Sequence, residues 1–189
     1  MKSLKILPIA LLLLLMASSL PAVAGVANMN FISADGNSYN GVASYPYYFT
    51  VNGNPDFLMC ISYNEHITNG ETWQATVYSV DGYAALPGVG TQKAGEIAYL
   101  FTLALADHGA NSDVNAVAWN INEGVPALTP SAVALYNQVT GMTFSTGEFP
   151  GLRVYVPIDG TQSWAGEVPQ VFYGTPEPST LLTLGSGVP

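Results

Sequence analysis

Charge is what this chain has least of. Of its 189 residues only 9% are Asp, Glu, Lys or Arg, and just four are basic. A surface so short of cations cannot neutralise phosphate, which makes nucleic acid and anionic lipid poor partners. Cysteine is equally scarce: Cys60 stands alone, so no intramolecular disulfide can form. Two histidines and one cysteine, without i, i+4 or C-x-x-C spacing, do not make a zinc site. No G-x-S-x-G elbow marks a serine hydrolase. What is plentiful is uncharged: 19 Gly, 13 Pro and 11 Tyr within a chain that is 49% hydrophobic. That turn-rich, aromatic mixture suits an exported β protein better than a cytosolic enzyme.

The N-terminus agrees. Lys2 and Lys5 precede an apolar run from Ile6 to Met16, followed by small residues and Ala22-Val23-Ala24. The run is too short to span a bilayer, and the A-x-A pattern predicts a secretory signal over residues 1–24, cleaved after Ala24. Cleavage leaves Lys93 and Arg153 as the only basic residues against thirteen acidic ones, a net charge of −11. Periplasm, cell surface or extracellular space are the expected locations.

Hydrophobic period divides the remainder. "VANMNFISA", "NGVASYPYYFTVNG", "DFLMCISYN" and "TWQATVYSV" read as strands closed by Gly, Asn and Asp. In the third, Phe57, Met59 and Ile61 should face one side and Leu58, Cys60 and Ser62 the other. From residue 91 the period lengthens. Ile97, Phe101, Ala104 and Leu105 form a helical stripe, with Thr91 as cap and Gly109 as stop. Val114, Val117, Ala118 and Ile121 form a second, capped by Ser112 or Asp113 and ended by Gly124. Thr129-Pro130 opens a third. After Gly141, "MTFSTG", "LRVYVPID" and "QVFYG" return to strand. The expected fold is mainly β with a helical insert (α+β): an antiparallel sandwich or barrel over 25–174, with a subdomain of about three helices near 91–140.

The tail, residues 175–189, reads "TPEPSTLLTLGSGVP". Pro176-Glu177-Pro178 followed by Ser179-Thr180-Leu181-Leu182 resembles the PEP-CTERM sorting signal of exported bacterial proteins. The resemblance implies handling by exosortase-type machinery and a cell-surface, biofilm or exopolysaccharide-associated role. The family's apolar span and basic cluster are not matched: only residues 180–188 stand where about 20 apolar residues are needed, and no Lys or Arg follows Arg153. The tail as written therefore implies no stable membrane anchor.

The body carries a second resemblance. "FLMCISYNEHITNGETWQATV", followed by "VNAVAWNI" in the helical insert, is similar to thioester-type domains of bacterial surface proteins. In those domains a strand Cys attacks the side-chain amide of a helical Gln, releases ammonia and leaves an acyl group for external nucleophiles, with no cofactor. Matched position by position, Cys60 stands for the thiol and Trp119 for the helix tryptophan. Asn115 falls where reactive members carry Gln. Asparagine is one methylene shorter, roughly 1.5 Å of reach, and misplacement by about 1 Å can cost around a hundredfold. The resemblance thus implies a degenerate site: Cys60, Asn115 and Trp119 keep the scaffold without the bond. Gln92 and Gln138 lie outside the matching segment.

Residues for three other chemistries are present. A Cys-His dyad would need His66 or His108 beside Cys60. Weak extracellular calcium could use the acidic loops "SADGNSYNG" and "ADHGANSD", neither of which is an EF-hand; otherwise no cofactor or metal is expected. Tyr45, Tyr47, Tyr48, Phe49 and Trp164 could form a sugar-contacting face if they were exposed together. The sequence reads as a non-enzymatic surface or matrix protein, structural or adhesive. The alternatives are a covalent adhesin, a carbohydrate-binding module and, last, a cysteine hydrolase.

Overall fold

The computed structural model describes residues 23–34, 37–107, 112–164 and 168–175. Six antiparallel strands close into a barrel in the order β1-β4-β5-β8-β7-β6. These are β1 (Val23–Ala34), β4 (Tyr47–Val51), β5 (Asn54–Cys60), β6 (Thr72–Ser79), β7 (Arg153–Pro157) and β8 (Phe172–Gly174). A small hairpin, β2 (Ser38–Tyr39) with β3 (Val42–Ala43), interrupts the walk from β1 to β4. Of the two expected β architectures, the closed barrel is the one observed.

Local chemistry sets the hairpins. Asn52-Gly53 joins β4 to β5 with both residues at positive φ, 50° and 85°, and Asn40-Gly41 does the same for β2 and β3. Such turns match the twist of the strands they join. β1 carries a bulge between Phe31 and Ser33, and the long strand pairs with β6 on one side and β4 on the other. Alternation then fills the barrel. Met29, Phe31, Phe49, Trp73 and Phe172 are buried, with Phe49 and Phe172 rings 4.8 Å apart.

Four helices occur among the described residues: α1 (Val80–Ala84), α2 (Thr91–Ala106), α3 (Ser112–Glu123) and α4 (Pro130–Thr140). The last three correspond to the expected ones. α1 was not anticipated; Ser79 caps it by accepting a hydrogen bond from the Gly82 amide at 3.0 Å. Thr129 caps α4 as expected, with Pro130 opening the helix. At α2 the cap is Gly90, and Thr91 is the first helical residue. Gly95 of α2 lies against Phe144, where a Cβ would come within 2.4 Å of the phenylalanine Cβ. "MTFSTG" is not a strand: Phe144 is held between the rings of Tyr99 and Phe149 in a loop and serves as a plug for α2.

The period-two reading of "DFLMCISYN" fails at its end. Phe57 is 49% exposed, but Leu58, Met59, Cys60 and Ile61 are all buried. α3 contacts this strand, and with Leu58 to Ile61 all buried both of its faces are covered there.

Candidate functional site

The end of β5 and the segment after it are held by one face of α3. Asn115, Trp119, Asn122 and Glu123 fall at i, i+4, i+7 and i+8, so they line a single stripe. Asn115 Nδ2 donates to the Cys60 carbonyl at 2.7 Å, and Asn115 Oδ1 accepts from the Tyr45 amide at 2.7 Å. Asn122 Nδ2 donates to the Ile61 carbonyl at 2.9 Å. Glu123 Oε2 accepts from the amides of Tyr63 and Asn64 at 3.1 and 3.2 Å, and from Asn64 Nδ2 at 2.9 Å. The Trp119 ring meets Tyr63 edge-on at 5.3 Å. Chain that has left the strand ladder is thus satisfied by side chains, as buried backbone must be.

Three residues singled out in the sequence, Cys60, Asn115 and Trp119, therefore come together. Cys60 is fully buried, and its Sγ–H donates to the Ser62 carbonyl at 3.1 Å while Sγ accepts from the Ser62 amide at 3.3 Å. Burial pushes the thiol pKa up to about 12; Trp119 and the Ser62 amide pull it down, and Glu65 and Glu123 push it up. The Trp119 indole N–H faces the sulfur but forms no hydrogen bond of normal geometry, so this is a loose N–H···S contact. Tyr47 faces the sulfur too. Its hydroxyl donates to the Ala43 carbonyl, and burial first, then the Cys60 thiol, raise its pKa. At neutral pH Cys60 is a protonated thiol in a dry site. That is the inert condition, because the thiolate is the nucleophile.

Asn115 has one exposure figure that matters, 1%. Its amide oxygen and nitrogen are both committed to backbone, and its role is to fasten β5 to the chain entering β4.

Sequence reasoning missed Gln170. It is 5% exposed, and its Nε2 donates to the Ser62 carbonyl at 3.2 Å and also to the Glu65 carbonyl. The Ser62 carbonyl is therefore shared by the Cys60 thiol and the Gln170 amide. No local pattern marks this glutamine, which reaches Ser62 across 108 residues of chain. Beside this cluster lies a cavity of about 380 Å³ lined by Phe31, Val42, Tyr47, His66, Asn69 and Gln170.

The other sequence candidates fare differently. His66 lies on that cavity, while the hydrogen bonds of the Cys60 sulfur go to Ser62, so no Cys-His dyad is assembled with it. His108 lies outside the described residues, as do the sorting motif Pro176, Glu177 and Pro178, residues 1–22 of the signal, and parts of both acidic loops. β1 begins at Val23, just before the expected cleavage point. Among the described residues no group of three His, Cys, Asp or Glu could hold a metal, and no helix is long and apolar enough to cross a membrane. The five aromatic residues do not share a face: Tyr45, Tyr47 and Phe49 are buried, Tyr48 packs edge-on against Phe57, and Trp164 alone is well exposed.

No protein-family model matches the chain, and neither curated proteins nor solved structures include one significantly similar to it.

Proposed function

We propose that this is an exported, non-enzymatic protein of the bacterial surface or extracellular matrix, with a thioester-type domain whose reactive bond has been replaced by hydrogen bonds. In this reading α2, α3 and α4 form the helical subdomain of that domain, and the PEP-CTERM tail directs the chain to exosortase-type machinery. The role is structural or adhesive, in contact with exopolysaccharide or another surface ligand. The observation that carries it is the state of Asn115: both ends of its amide are bound to backbone, beside a thiol with a pKa near 12. A side chain so engaged fastens the end of β5 to the chain entering β4, and the hydrogen bonds of the Cys60 sulfur go to Ser62 rather than to this amide.

Intact mass of the mature protein tests this. Unmodified mass, with one thiol titratable after unfolding, is expected. A mass lower by one ammonia, restored in Cys60→Ser, would replace it with the covalent reading.

Gln170 gives that second reading its specific support, since its amide and the thiol meet at the Ser62 carbonyl. The Cys60 sulfur would add to the Gln170 side-chain carbonyl carbon, the C–N bond would break, and ammonia would leave with the thiol proton. Peptide mapping would then find Cys60 joined to Gln170, and Gln170→Ala would abolish the mass loss.

A further inference from the structure

The outer face of the barrel carries a second site, unrelated to Cys60. A groove of about 280 Å³ runs over β1, where β4, β1 and β6 lie side by side. Its floor is read directly from the register: Asn28 opposite Gln74, and Asn30 between Thr72 and Thr50. These are the outward-facing positions of strands whose alternate residues, Met29 and Trp73 among them, fill the barrel. Thr161 completes the wall. Among the described residues none that lines this groove is ionisable.

The rim is built by the loop after β7, which continues the pairing of β6 through hydroxyl groups. Thr161 Oγ1 accepts from the Gln74 amide at 3.0 Å, and Ser163 Oγ accepts from the Thr72 amide at 3.0 Å. The Ser163 amide in turn donates to the Thr72 carbonyl at 2.8 Å. Trp164 follows Ser163 directly in the chain, so its backbone leaves the end of this rim, and 54% of the residue is exposed. Trp164 is an exposed large aromatic residue outside the buried core, and an aromatic anchor near convergent polar groups is the composition of a ligand site.

The chemistry narrows the ligand. Asparagine and glutamine amides and threonine hydroxyls each donate and accept hydrogen bonds. Their counterpart is a molecule whose groups also do both and carry no charge, namely the hydroxyls of a sugar. A polyanion is disfavoured, since the chain has a net charge of −9 and the described residues lining the groove include no cation. We infer that this groove, with Trp164 at its edge, binds a neutral glycan chain. The inference rests on the surface-protein reading only in that it names the class of matrix ligand.

The test is titration of the full exported chain with cellohexaose, mannohexaose and maltohexaose, and with an alginate hexamer as the anionic control, followed by amide chemical shifts. At least one neutral hexasaccharide should shift the amides of Asn28, Asn30, Thr72 and Gln74 with a Kd of about 1 mM or tighter. Trp164→Ala and the double variant Asn28→Ala, Gln74→Ala should each weaken it at least about tenfold, whereas Val133→Ser, on α4, should not. The wild-type shift map needs no variant, so a misfolded variant does not blunt the test. The inference is overturned if no neutral hexasaccharide moves the groove amides, if alginate is preferred, or if the groove variants bind as wild type. Retention in the matrix of the producing cells, measured in parallel, reports on the surface-protein reading separately. Wild-type retention without any groove shift would sink the groove alone.

Discussion

Replacing Asn115 with alanine should be among the most destabilising changes available in this protein. The side chain is 1% exposed and makes two hydrogen bonds of 2.7 Å, one to the Cys60 carbonyl and one from the Tyr45 amide. Truncation strands both backbone groups in a site closed to water. Each stranded group costs about 1–3 kcal/mol, so the sum is roughly 3–5 kcal/mol once partial relaxation is allowed. Against a typical domain stability of about 5–15 kcal/mol, that is a large share. Urea unfolding followed by tryptophan fluorescence measures it: the midpoint should fall with the slope unchanged. Asn115→Asp is the discriminating companion. Its introduced carboxyl can still accept from Tyr45, but when ionised it turns an oxygen toward the Cys60 carbonyl. Burial raises its pKa in the folded state, so its stability should be greatest below the unfolded pKa and be lost as pH rises through the folded value. A loss under about 1 kcal/mol for Asn115→Ala, or an Asp variant indifferent to pH, would refute the view that this amide is a structural fastener.

Four further outcomes are expected. The Cys60 thiol should resist DTNB at pH 8 until the protein unfolds globally, and labelling at the rate of a free thiol in the native state would contradict its burial. Because its folded pKa is raised from 9.0 to about 12, its contribution is fully present below about pH 9 and is lost as pH rises through about 12. Wild type should therefore lose stability relative to Cys60→Ala in that window, by a few kcal/mol as an order of magnitude, as read from urea midpoints at each pH. Gly95→Ala should cost about 1–3 kcal/mol by overpacking, since the new methyl meets Phe144 Cβ at 2.4 Å and Cγ at 2.7 Å; pairing it with Phe144→Ala in a double-mutant cycle should show strong coupling, and additive effects would argue against the clash. Glu123→Ala should release the chain at Tyr63 and Asn64, raising amide exchange there first and lowering stability by roughly 1–2 kcal/mol, while unchanged exchange at both amides would deny Glu123 its clamping role.

Much of the fold was legible because it is locally encoded. Asn-Gly pairs at 40–41 and 52–53 demand positive φ and so announce tight hairpins. Thr129-Pro130 starts a helix by filling one orphan amide and lacking another. The alternation in β6 reported its buried face correctly at Trp73 and Ala75. Errors fell where a third body intervened. Leu58 to Ile61 lost their two-sidedness because both faces of β5 are covered there, and the stretch read as a strand around Phe144 is a plug for a glycine notch in α2. For the aromatic cluster at 45–49 the sequence left core and surface both open, because a period of two cannot say which face of a strand points inward; Tyr45, Tyr47 and Phe49 are core.

The candidate site divides the same way. Residue type and spacing on one helix placed Asn115 and Trp119 on a common face, and resemblance paired that face with Cys60. What each group does there depends on partners far away in sequence: Asn115 reaches Cys60 across 55 residues and Tyr45 across 70, and Gln170 reaches Ser62 across 108. The sequence by itself determined the scarcity of charge, the lone cysteine, the turns, the caps and the helical stripes, since each is a property of a few neighbouring residues. Only the tertiary structure decided that the barrel closes, that the thiol is buried with its pKa raised, that the Asn115 amide is bound to backbone, and that a groove with no ionisable group among its described lining residues lies over β1, because burial and long-range hydrogen bonds exist only once distant segments are packed together.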